Sequence, residues 1–100
     1  MARLSLTPHG AHIVFAWMSR AKPEDRELVA QVLEQVGDGL GACTYHYTID
    51  KVDKNITVVQ PRDGLCVLVR MWPVNVAEYP NHFDVLSITE IEQEENGDVG

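Results

Sequence analysis

The side chains that could do chemistry in this sequence fall into four small groups. His9 and His12 stand three apart, so on a helix they would share a face, and Cys43 and His46 repeat the spacing. Nitrogen and sulfur donors at such intervals can hold zinc, but four must converge. Cys43 and His46 on a regular strand would point to opposite faces. The plainer reading is a polar helix start and an ordinary strand, with no metal and no other cofactor. Cys66, with His46 or His82 as its base, would be a thiol nucleophile. No glycine-flanked elbow surrounds it, and a cysteine in an apolar run usually serves as a small hydrophobe. The third group is cationic: Lys54, Arg62, Arg70 and His82 could stabilise charge on a phosphate during RNA cleavage. Against that, Lys54 and Arg62 read as solvated turn residues, and Arg70 as the partner of a sheet-face carboxylate such as Asp84. The fourth group is a contact set. Trp72, Tyr79 and His82 lie in or beside a proline-containing loop, and Glu90, Glu92, Glu94 and Glu95 follow it. Aromatics are enriched at the centres of interfaces, and an acidic segment can fold onto a basic surface.

The elements that must position these groups centre on residues 56–72. Val58 and Val59, then Leu65, Val67, Leu68 and Val69, suit a pleated and buried surface. Pro61, Arg62, Asp63 and Gly64 supply turn chemistry between the two runs. The second run is apolar on both alternating sets until Arg70, which predicts a central strand covered on both faces. Upstream, residues 3–6 alternate as a short strand, and Thr7-Pro8 is a helix start, with threonine as N-cap and proline at the first helical position. Ile13, Val14, Trp17, Met18 and Ala21 then form one helical stripe. Pro23 opens a second helix with Glu24, Asp25 and Glu27 at its positive end. Leu28, Val29, Val32, Leu33 and Val36 are its apolar stripe, and Gly37 is its stop. Residues 38–41 read as a flexible exit, 44–49 as a half-buried strand, and 50–55 as a polar hairpin loop. Residues 73–82 are an irregular loop. The last strand, 83–91, has Phe83, Val85, Ser87, Thr89 and Ile91 on one face and Leu86 and Ile88 on the other. The expected fold is α+β: a short N-terminal strand and a two-helix hairpin on an antiparallel sheet of four or more strands, in the order β-α-α-β-β-β-β. Residues 1–91 would form one domain and residues 92–100 a disordered acidic tail.

Charge sharpens the choice among functions. The net charge is −7, and five acids with no base fall in the last eleven residues, leaving −2 on the rest. Such a chain is repelled by nucleic acid and by anionic membranes at long range. The N-terminus lacks the apolar core of a signal peptide, and no apolar run approaches the roughly 18 residues that span a bilayer. These features suggest a cytoplasmic protein in which Cys43 and Cys66 are free thiols.

In its order of elements the chain resembles the RelE/ParE toxin superfamily. The likeness lies in the opening Met-Ala-Arg-Leu-Ser-Leu-Thr-Pro, in two helices ending at residues 36–39, and in a meander with a valine-rich strand, 65–70, and a closing strand, 83–88. The resemblance implies either a ribosome-dependent endoribonuclease or a protein-binding fold. Carried over by residue, it gives Lys54 near the early hairpin, Arg62 in the turn and Arg70 on the strand, with His82 beside them. The closing strand departs from the nuclease pattern, since Glu90 and Glu92 stand where that chemistry uses basic or aromatic residues. The reading drawn from the sequence is therefore a small acidic protein-binding module, an inhibitor or modulator of immunity or phage type. It would meet a protein partner with a basic surface through Trp72, Tyr79, His82, Glu90, Glu92, Glu94 and Glu95. Its alternatives are the toxin and a structural homo-oligomer, a homodimer for instance.

Overall fold

A computed structural model of the chain describes residues 3–71 and 81–91. The order is β1 (Ser5–Leu6), α1 (Pro8–Met18), α2 (Pro23–Gly37), a 3-10 turn (Leu40–Ala42), β2 (His46–Ile49), β3 (Ile56–Arg62), β4 (Leu65–Met71) and β5 (His82–Glu90). This is the α+β order expected from the sequence. The strands form one five-stranded sheet in the order β1-β5-β4-β3-β2. Neighbours from β2 to β5 are antiparallel, whereas β1 runs parallel to β5, pairing Ser5 with His82 and Leu6 with Phe83. The sheet is thus mixed rather than wholly antiparallel, because the chain passes from β1 through both helices before returning to β1's neighbour last. Among the described residues no helix is long and apolar enough to cross a membrane.

Both helices start as their sequences dictate. Thr7 caps α1 by accepting a hydrogen bond from the Gly10 amide at 3.0 Å, and Pro8 follows. α2 carries Glu24 and Asp25 in its first turn and runs through Gly37, and the chain reverses at Gly39 with φ of 105°. Val14 and Trp17 of α1 and Val29, Val32 and Val36 of α2 pack into one core with Val59, Leu65, Val67, Val69, Phe83 and Val85. At about 25 cal/mol per Å² of apolar area, this burial is the main force holding the helices to the sheet.

That core lies on one face only. β4 is central, but its alternate residues Cys66 and Leu68 are half-buried rather than covered, which corrects the expectation of cover on both faces. Alternation in β5 is also interrupted. Val69 pairs with Val85 but Leu68 pairs with Ser87, so Leu86 is an extra residue. This bulge turns Ser87 to the face opposite Val85 and returns Ile88 to the core side, as an inserted residue must. A second irregularity lies between Val59 and Arg62, and the turn into β4 narrows to Asp63 and Gly64. Gly64 has φ of 83°, and a Cβ there would meet the Ile91 carbonyl oxygen at 2.7 Å, so only glycine fits.

Candidate functional site

Among the described residues, the face of the sheet turned away from the helices is a surface with a consistent chemistry. Strand register lays out its rows. Thr48 lies opposite Val58, Val58 opposite Leu68, and Leu68 opposite Ser87. On one side His46 pairs with Gln60 across β2 and β3, and Cys66 pairs with Thr89 across β4 and β5; Gln60 Nε2 stands 3.7 Å from Cys66 Sγ. On the other side Ile56 lies opposite Arg70, and Arg70 opposite Asp84. The middle is apolar, with Ile56, Val58, Cys66 and Leu68 all half-buried; His46, Thr48, Gln60 and Thr89 at the margins are exposed. Among the described residues, the helices reach it only at the Asp84 end, through the start of α1. Sequence reasoning missed this face because both alternating sets of β4 are apolar, so periodicity alone could not separate them.

One end of the sheet collects polar groups. Lys54 precedes β3, where the Met71 amide donates to the Asn55 carbonyl at 2.7 Å, so Lys54, Arg70 at the end of β4 and His82 at the start of β5 share that end. Asp84, offered by the sequence only as a partner for Arg70, joins them as a hub. It is buried, and its Oδ1 accepts from the Thr7 hydroxyl at 2.7 Å. His9 Nδ1 lies 3.0 and 3.1 Å from its two carboxylate oxygens. A carboxylate only accepts, so Nδ1 is the donor. Asp84 therefore ties the start of α1 to β5. The expected Arg70–Asp84 ion pair is not made: the two stand opposite each other, yet Asp84 is engaged by Thr7 and His9.

Arg62 is elsewhere. It sits at the far end of β3, where its Nε and Nη2 bond the two oxygens of Asp25 at 2.8 and 3.0 Å. The Asp25 side chain is 7% exposed. The hydrogen bonds from Arg62 hold the Asp25 carboxyl below the usual range, and the same bonds raise the guanidinium. Arg62 is thus exposed but ion-paired at the end of β3, and it is not part of a patch with Lys54, Arg70 and His82. Its role is to fasten the start of α2 to the β3–β4 turn.

The other candidate groups do not converge. His9 is committed to Asp84, His12 is exposed, and among the described residues no set of three or more histidine, cysteine or acidic side chains is placed to hold a metal. Cys43 follows the 3-10 turn that replaces the expected flexible exit, ahead of a strand that starts at His46. Cys66 is separated from His46 by Gln60, and His82 lies at the opposite end of the sheet. A shallow open cleft of about 520 Å³ runs between β1 and α2, with Leu4, Leu6, Leu33 and Phe83 in its walls, away from all these groups. Glu90 is exposed at the end of β5. Trp72, Tyr79, Glu92, Glu94 and Glu95 lie outside the described residues. Comparison with models of protein families, with curated proteins and with solved structures finds no match to this chain.

Proposed function

We propose that this protein acts by binding a protein partner through the uncovered face of its sheet, as a small inhibitor or modulator does. The observation that carries the reading is the apolar middle of that face, Ile56, Val58, Cys66 and Leu68, with both helices packed on the other side. A contiguous apolar surface rimmed by polar groups is the usual form of a protein contact site. The partner's chemistry follows from charge. Five acids in the last eleven residues, beginning with Glu90 at the end of β5, favour a surface that offers basic groups beside an apolar strip. The test is calorimetric titration of a captured partner with wild type, with Leu68→Asp and with a chain ended after Ile91. Leu68→Asp should weaken binding at least tenfold, and loss of the tail should lower the affinity and its salt dependence. Equal binding by all three would overturn the reading.

A second reading, a RelE-type ribosome-dependent mRNA-cleaving toxin, is favoured by one observation: Lys54, Arg70 and His82 share an end of the sheet with His9 and Asp84. It requires that expression arrest growth and that Arg70→Ala relieve the arrest.

A further inference from the structure

We propose that the free edge of the sheet, β2, pairs antiparallel with β2 of a second copy of this chain about a two-fold axis at Thr48. The ladder with β3 shows which groups are available. The Asp50 amide bonds the Ile56 carbonyl at 2.9 Å, one step beyond the last register pair, Ile49 with Thr57. In an antiparallel pair every second residue bonds inward. His46 and Thr48 therefore spend their amides and carbonyls on β3 and Asp50 its amide, while Tyr47 and Ile49 turn theirs outward. Among the described residues none of those four outward groups has a partner. Edges of this kind are usually blunted by lysine, proline or a bulge. β2 reads His-Tyr-Thr-Ile and has none of these.

The sequence around Thr48 complements itself when reversed. With the axis at Thr48, Tyr47 meets Ile49 of the other copy in both directions, and these two pairs exchange about four backbone hydrogen bonds. Thr48 meets Thr48 at the close, non-bonded spacing, and aromatic–branched and threonine–threonine pairs are both favourable there. His46 meets Asp50. Asp50 Oδ2 is used by the Val52 and Asp53 amides, which leaves Oδ1 for the imidazole. Tyr45 meets Lys51, so no like charges face each other over residues 45–51.

Pairing would also cover Ile49, which is 46% exposed in the single chain. The helices permit it. α2 packs on β3 and reaches the entry to β2 only by Gln31 and Gln35, which accept from Tyr45 and Thr44. About three strand spacings, about 14 Å, therefore separate α2 from its counterpart, and a helix is about 10 Å across. The paired sheets would have ten strands, with the two rows from Thr48 to Ser87 running on from one copy to the other. This inference is independent of the binding reading above, because it concerns the edge and not the face.

The experiment is sedimentation of the purified full chain from low micromolar to submillimolar concentration, since so short an edge gives a small, weak interface. Thr48→Lys places two like charges at the axis, and Thr48 is exposed, so each chain keeps its fold by circular dichroism. Ile49→Pro removes an outward amide that β3 does not use. The expected result is a concentration-dependent dimer for wild type, monomers for Thr48→Lys, Thr48→Glu and Ile49→Pro, and restored dimer on mixing Thr48→Lys with Thr48→Glu. A wild type monomeric throughout, or a dimer indifferent to these substitutions, would overturn the proposal.

Discussion

Three buried side chains, two with distant partners and one with none among the described residues, set the local energetics. Arg62 neutralises Asp25, whose side chain is almost fully buried, so Arg62→Ala strands a charge and should cost about 2–4 kcal/mol in chemical denaturation. Lysine cannot reproduce the two-pronged contact and should recover only part of the loss. Because the folded carboxyl of Asp25 lies below its unfolded value, its contribution is complete above about pH 4 and disappears as pH falls through the lowered folded value. Asp25→Asn should therefore flatten the acid limb of a stability–pH curve, while Arg62, raised further, stays charged throughout. Thr7 both caps α1 and donates to Asp84. Thr7→Ala should lose about 1–2 kcal/mol, whereas Thr7→Ser should lose little. Thr57 gives the opposite sign. Its hydroxyl is buried with no partner among the described residues, so Thr57→Val should raise the thermal midpoint, by about 0.5–1 kcal/mol in stability. None of these partners was visible in the sequence, because Thr7 and Asp84 are 77 residues apart and Asp25 and Arg62 are 37 apart.

At the scale of elements, what the sequence disclosed follows the strength of its local patterns. Both helices are legible because their stripes repeat at one period and Thr7-Pro8 and Pro23 mark their starts. β3 and β4 are legible from branched residues on either side of a glycine turn. The parallel pairing of β1 was not, since a two-residue strand gives no periodicity and its partner comes last in the chain. Nor was the β5 bulge: Val85, Leu86, Ser87 and Ile88 read as plain alternation until Leu86 is left over. The close seating of α1 on β5 makes a separate prediction. A Cβ on Gly10 would meet Leu6 Cδ1 at 2.7 Å and the Val85 amide nitrogen at 2.8 Å, so Gly10→Ala should destabilise by about 1–3 kcal/mol despite its better helix propensity. Urea denaturation of the variant checks it.

At the scale of the whole molecule, the chain places both helices on one side of the sheet and leaves an apolar face on the other, with its excess acidity in the terminal segment. The sequence disclosed the acidity at once. The face itself was not legible, because only packing decides which apolar set of β4 meets the helices. Cys66 lies in the middle of that face and Cys43 outside it, so the protein carries its own reporter and reference. The most direct measurement is the rate of alkylation of both thiols by a maleimide, read by mass spectrometry, with and without saturating partner. Cys66 should slow at least tenfold on binding while Cys43 is unchanged. Equal reactivity of Cys66 in the free and bound protein would contradict it.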